Sequence, residues 1–279
     1  MKNMNIRWKR FSYLLMKLSA SLGMSYGKFG RFKIPISSGT WKFLFKEIFL
    51  NDAYYFETQN PNPIILDCGS NVGFAALYFK LLYPKSRIIC FEASKQTYDK
   101  LRTTLDVNKI NDIRTEQIAL GNQDNSQVNF YRNSTDGNDL GSALLASGIG
   151  TSEQVQMKKL SSYIAEPIDF LKLDIEGAET SVFEDLVSSG KINFLKSGAI
   201  EFHLNVQNPS NNLGMILQSL YDHGFVYRIT SFSIVGRPWR PTQTIAINFV
   251  KDVSANQNYF VAGRKKLSVH RESMNKAET

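Results

Sequence analysis

The sequence predicts a doubly wound α/β fold on a largely parallel sheet, and three observations carry that expectation. From Ile64 onward, short apolar runs alternate with stretches of helical spacing, the rhythm of successive βαβ units. The first run, Ile64-Ile65-Leu66, ends in Asp67 and the turn Cys68-Gly69-Ser70-Asn71-Val72-Gly73, which opens a helix. The second run, Arg87 to Phe91, ends in Glu92, twenty-five residues after Asp67.

The elements follow in order. Proline 84 ends a helix expected over Val72 to Leu82, and Lys95 to Asn108 has helical spacing through Tyr98, Leu101 and Leu105. Ile113 to Leu120 reads as a third strand and Gln127 to Tyr131 as a peripheral fourth. The stretch from Asn133 to Thr151 is crowded with Gly, Ser, Asn and Asp and is a candidate lid. Beyond it lie a strand at Phe170–Leu173, a helix at Ala178–Ser188, a strand at Ala199–Leu204 and a helix at Leu213–His223. Two late strands follow, at Tyr227–Phe232 and Thr244–Phe249.

Ahead of this core, Trp8, Phe11, Leu14, Leu15, Leu18 and Leu22 recur at three- and four-residue intervals, an amphipathic helix over residues 6–22. Such a helix either packs on the body, the commoner outcome, or lies on an anionic membrane. Residues 23 to 40 read as a Gly- and Ser-rich connector, and Trp41 to Phe49 as a second apolar, basic segment. The expected organisation is a basic helical extension over 1–53, an α/β domain over 54–263 and a polar tail over 264–279.

Composition bounds the function. A chain of 279 residues, 43% hydrophobic and 21% charged, fits one globular α/β domain with appended elements. The net charge of +8 sits mainly in residues 1 to 46, which hold ten Lys and Arg and no acidic residue. Two cysteines, Cys68 and Cys90, make neither a disulfide framework nor a metal knuckle, and a reducing compartment is expected. The charged opening resembles a signal peptide, but Lys17 interrupts its apolar stretch, which is too short to span a bilayer. The expected location is cytoplasmic, with peripheral contact at the inner membrane face as an option.

The turn at 67 to 73 carries the first chemistry. A buried strand ends in an acidic residue, and glycines then let the backbone approach a ligand where a helix begins with free amide groups. Its glycines at 69 and 73 do not fit the dinucleotide pattern G-x-G-x-x-G. A carboxylate at the end of the second strand, here Glu92, accepts hydrogen bonds from both hydroxyls of a ribose. Further on, Lys172, Asp174 and Glu176 share one face if their strand stays extended, and Glu179 falls in the first turn of the next helix. Glu201 and His203 share a face of the following strand, which makes His203 a candidate general base oriented by a carboxylate. Three carboxylates beside one histidine could also hold a hard cation such as Mg²⁺, the less favoured reading, and no residue is assigned as a metal ligand.

These residues together resemble the FkbM family of methyltransferases. The resemblance rests on D-x-G-x-N-x-G at Asp67, Gly69, Asn71 and Gly73, on Phe91-Glu92, on Ala119-Leu120-Gly121, on K-x-D-x-E-G-x-E over 172–179, and on Glu201-x-His203. It covers about residues 54 to 250. It implies a class I, Rossmann-like fold with a seven-stranded sheet, S-adenosylmethionine as methyl donor, and O-methylation of a hydroxyl on a sugar or other metabolite. By the same resemblance Asp67, Gly69, Ser70, Asn71, Gly73, Glu92, Ala93, Ala119 and Leu120 bind the cofactor, and Asp174, Glu176, Glu201 and His203 line the reaction site. Ala93-Ser94 departs from the family, where proline often follows the ribose-binding acid. Two other readings compete: a nucleic-acid methyltransferase, favoured only by the charge, and a non-catalytic cofactor-binding scaffold at a membrane surface. The expected partner is a carbohydrate or small-molecule acceptor; the oligomeric state is left open.

Overall fold

The computed structural model describes residues 6–37, 39–132, 151–204, 211–234 and 243–251. Helix α1 (Ile6–Ser21) leads into a hairpin of β1 (Tyr26–Phe29) and β2 (Phe32–Pro35), then α2 (Trp41–Phe45), which continues as a π-helical turn over Lys46–Leu50. The hairpin occupies the expected connector. Its strands are four residues each and turn at Gly30 (φ 58°), so Phe29, Phe32 and Ile34 are buried within a stretch whose composition looked like a linker.

The core follows as β3 (Ile64–Cys68), α3 (Phe74–Leu82), β4 (Arg87–Phe91), α4 (Lys95–Val107) and β5 (Ile113–Glu116). Next come β6 (Ala119–Gly121), β7 (Ser126–Arg132), β8 (Thr151–Lys159), β9 (Phe170–Leu173), α5 (Glu179–Ser188), β10 (Ser197–Leu204), α6 (Leu213–Asp222), β11 (Val226–Ile234) and β12 (Gln243–Val250). Seven strands form one sheet in the order β11-β12-β10-β9-β3-β4-β5, in which only β12 runs antiparallel to its neighbours. The strand order reverses between β3 and β9, and their carboxyl ends are where a doubly wound sheet opens a crevice for ligands.

The expected third strand divides at Gln117-Ile118: β5 joins the main sheet, whereas β6 pairs with β8 in a separate three-stranded sheet ordered β6-β8-β7. Strand β8 had not been expected, because its run Thr151-Ser-Glu-Gln-Val-Gln-Met-Lys-Lys is polar and one face of it meets water. The candidate lid from 133 to 151, save Thr151 at the start of β8, and the tail from 264 lie outside the described residues.

Two apolar cores flank the sheet. On one face α5 and α6 cover Ile200, Phe202, Ile245 and Ile247, all at most 7% exposed. On the other, α3 and α4 pack with the N-terminal segment, and a chain of rings through Phe29, Phe45, Phe49, Phe74 and Tyr78 joins that segment to α3. Helix α1 docks by its less apolar side, burying Lys9, Ser12 and Met16, with the Lys9 ammonium 2.6 Å from the Asp52 carboxylate. Among the described residues, no helix is long and apolar enough to cross a membrane.

Candidate active site

Three carboxyl strand ends, β3, β4 and β9, converge on one cleft. At the first, Gly69 (φ 79°) and Asn71 (φ 48°) adopt left-handed backbone, and the amides of Gly69 and Ser70 donate to the Phe91 carbonyl at 3.0 and 2.9 Å. A Cβ on Gly69 would lie 1.7 Å from the Asp174 carbonyl oxygen, so only glycine lets β3 and β9 close on each other here. The Lys172 ammonium sits beneath, donating to the Gly69 carbonyl at 2.7 Å and pairing with Asp174 at 3.2 Å and Asp67 at 3.6 Å. Those two carboxylates hold the ammonium charged and push its pKa upward against its burial.

Glu92 ends β4 with its carboxylate receiving the amides of Asn71 (2.9 Å) and Ser94 (3.0 Å). Burial raises its pKa to about 7. The Ala93-Ser94 departure leaves this turn intact: the Ser94 amide donates to Glu92, and its hydroxyl caps α4 by accepting from Thr97. Of the residues the resemblance assigns to the cofactor, Gly69, Ser70, Asn71, Glu92, Ala93, Ala119 and Leu120 line the cleft. Two of the expected cofactor residues do not. Asp67 is wholly buried, facing Lys172 and Cys90, and Gly73 lies behind the loop at the start of α3, against Leu101 and Thr104. Ile118 and Phe130 complete the apolar side of the cleft, and neither carried a sequence signal beyond being apolar.

Strand β9 stops at Leu173, and Glu176 takes a left-handed conformation (φ 57°), so the extended alternation expected through residue 176 does not hold. The turn nevertheless brings the acidic residues to His203. Its Nδ1 donates to Glu179 Oε1 at 2.9 Å, and Nε2 lies 3.2 Å from Glu176 and 4.0 Å from Asp174. The orienting carboxylate is therefore Glu179 rather than Glu201. Glu179 is fully buried and also accepts the Gly177 amide at 3.0 Å, and its place in the first turn of α5 was the signal for it. Burial alone would lower the His203 pKa, but Glu176, Glu179 and Asp174 outweigh it and hold the ring well above its usual 6.5. Strands β9 and β10 are neighbours, and Asp174, Glu176 and Glu201 line the cleft with His203 directly behind the first two.

Two site residues ahead of β3 were not foreseen. Glu47, on the π-helical turn, faces Asp174 and Lys172 with its pKa raised to about 7, chiefly by burial. The Tyr54 hydroxyl lies 3.4 Å from Asp174 Oδ2, and its ring packs over the Lys172 ammonium. Glu47, Tyr54 and Glu201 also line a second cavity of about 530 Å³ on the sheet face formed by β10, β12 and β11. That face carries Ala199, Glu201, Arg228, Ala246 and Asn248, small or polar where the opposite face holds Ile and Phe.

The profile of the methyltransferase FkbM domain matches residues 67–227, more than half of the chain. The chain belongs to the FkbM methyltransferase family. Among its relatives, Methyltransferase 1 of Beauveria bassiana (strain ARSEF 2860) is 29% identical over 169 residues, which span 52% of this chain and 67% of that protein. The 2-O-methyltransferase NoeI of Sinorhizobium fredii (strain NBRC 101917 / NGR234) is 26% identical over 157 residues, 50% of this chain and 62% of its own. The solved FkbM methyltransferase of Methylobacillus flagellatus KT superimposes with a TM-score of 0.48 at 14% identity, covering 75% of this chain and 53% of the other. As a member of the FkbM family the protein is an S-adenosylmethionine-dependent methyltransferase.

The cleft fits that cofactor on its own donor set. The Glu92 carboxylate suits a ribose diol, Ile118, Leu120 and Phe130 offer an apolar slot to a purine, and the loop at Gly69-Ser70-Asn71 lets backbone approach the remainder.

Proposed function

We propose that the protein is an O-methyltransferase that methylates a hydroxyl of a sugar, glycan or related metabolite, with His203 as the base that takes the hydroxyl proton. The observation that supports it best is the linked set Glu179, His203, Glu176 and Asp174 at the edge of the cofactor cleft, opening beside Glu201 into the cavity on the β10 face. The relative named a 2-O-methyltransferase is consistent with a hydroxyl acceptor.

When bound, S-adenosylmethionine supplies an electrophilic methyl group. Glu92 and the Gly69 loop hold the donor, as the family resemblance implies. Lys172 fixes that loop against Asp174 and so keeps cofactor and base in one frame, which matters because displacement at carbon depends on alignment. Glu179 sets the ring orientation of His203 by accepting from Nδ1, leaving Nε2 as the atom that exchanges a proton. Asp67, away from the cleft, acts through Lys172.

His203 is a base only in its neutral form, and its pKa is held above 6.5, so activity rises with pH through a value above 6.5. Replacing Glu176 with Gln removes a charge that favours the imidazolium and moves that limb to lower pH. The acceptor cavity is lined by side chains suited to hydroxyls: the Glu47 and Glu201 carboxyls, with pKa values raised to about 7 and about 8 mainly by burial, together with Asn248 and Arg228. A histidine base takes the hydroxyl proton without a metal ion, so the proposed reaction needs no divalent cation. Activity is then expected to survive a chelator.

The test is a screen of sugars and glycosides with isotopically labelled S-adenosylmethionine, comparing the wild type with His203→Gln. Labelled O-methyl product from the wild type, with a loss of about 10²-fold or more in the variant while S-adenosylhomocysteine binding persists, is expected. Product on nitrogen, or a variant as active as the wild type, would overturn the reading.

A further inference from the structure

Helix α1 is attached to the body the wrong way round for an ordinary amphipathic helix. The side it buries holds Lys9, Ser12 and Met16, while Tyr13 stacks on Phe45. The opposite side presents Phe11 (59% exposed), Leu14 (60%), Leu15 (47%), Leu18 (57%) and Leu22 (71%) as one stripe at three- and four-residue spacing. Of the eleven large apolar side chains most exposed among the described residues, eight fall between Ile6 and Met24. An apolar patch concentrated in this way marks an interaction surface.

Helix α1 is not loosely held. Lys9 is 7% exposed and engages both Asp52 carboxylate oxygens at 2.6 and 2.7 Å, and Tyr78 of α3 donates to the same Asp52 at 2.8 Å. Met16 is fully buried against Gly27 of the hairpin. The Lys9 ammonium is thus withdrawn to the protein side and neutralised. Arg10 and Lys17, both exposed, flank the stripe on a single edge. Residues 1 to 46 supply ten basic side chains and no acidic one.

We infer that this face docks on an anionic membrane surface, with Phe11, Leu14, Leu18 and Leu22 entering the headgroup and acyl boundary while Arg10 and Lys17 meet lipid phosphates. Apolar insertion and basic attraction together are what a helix lying in the interface requires. The charge separates this occupant from a second copy of the chain, whose equivalent face would bring two all-basic segments together. The inference does not depend on which acceptor the enzyme methylates.

The experiment is co-sedimentation of the full-length protein with vesicles of mixed phosphatidylglycerol and phosphatidylcholine, against phosphatidylcholine alone. Binding to the anionic vesicles roughly tenfold or more tighter is expected, weakening as salt is added. Leu14→Glu with Leu18→Glu should abolish it and leave the thermal unfolding midpoint and S-adenosylhomocysteine binding unchanged, since both side chains point away from the body. The pair Leu14→Ser with Leu18→Ser gives the same comparison without added negative charge. No binding to anionic vesicles overturns the inference, as does binding that survives both double substitutions. So does a concentration-dependent dimer that either double substitution dissolves in the absence of lipid binding.

Discussion

Lys172 reaches the Gly69 carbonyl, Asp174 and Asp67, and through these contacts β3 and β9 are held in one arrangement at the cleft. Around it the side chains depend on geometry that single substitutions expose. Gly69→Ala places a methyl group 1.7 Å from a backbone carbonyl at a position with φ 79°. It should cost about 2 kcal/mol or more in chemical denaturation, or abolish S-adenosylhomocysteine binding, because backbone on both sides must move. Glu47→Ala is a different case. Its side chain lies at the junction of the cleft and the β10 cavity, so the variant is expected to raise the KM for the acceptor severalfold while cofactor affinity stays near wild type, read by steady-state kinetics and calorimetry.

At the scale of elements, α1 offers an internal comparison of two residues on one helix. Met16→Ala removes a fully buried side chain and should cost about 2 to 5 kcal/mol, whereas Leu14→Ala, 60% exposed, should change stability by no more than about 0.5 kcal/mol. Denaturant titration of the two variants measures the difference, and equal costs would contradict the packing described. The core strands were legible in the sequence because a strand buried on both faces is a mostly apolar run: Arg87–Phe91 and Phe170–Leu173 fall where the pattern put them. The small sheet was less so. Strand β8 alternates weakly and gains its partners from β6 and β7, contacts that local spacing does not encode. The site divides the same way. Motif residues at strand ends, Gly69, Glu92 and Asp174, reached the cleft, because strand ends at the reversal of the sheet face it, and Glu201 reached it from within β10. Glu47 and Tyr54 came unannounced, since they enter from a segment whose docking is decided by tertiary packing. Asp67 shows the converse, a motif residue whose partner is Lys172 and not the ligand space.

For the whole molecule, the buried acids and His203 act on stability in one direction. The carboxyls of Glu47, Glu92 and Glu201 have pKa values of about 7, about 7 and about 8 in the folded chain against 4.5 as free groups, so the folded state binds their protons more tightly. His203 is likewise raised above 6.5. Each contribution is fully present below the unfolded value and is lost as pH rises through the folded one. Asp169, where burial is outweighed by the Ile64 amide, Lys196 and Asn60 so that the pKa is lowered, works the other way and loses its contribution only in acid, below 3.8. The unfolding midpoint is therefore expected to fall as pH rises from about 4.5 to about 8, and Glu47→Gln with Glu201→Gln should flatten that slope in a thermal melt series.

The central claim is a donor site between the Gly69 loop and Glu92, and calorimetric titration with S-adenosylhomocysteine tests it most directly. The wild type should bind, and Glu92→Ala should weaken binding by about 1 to 3 kcal/mol, the loss expected for hydrogen bonds to a charged group. Absence of binding to the wild type, or equal affinity in the variant, would contradict the account.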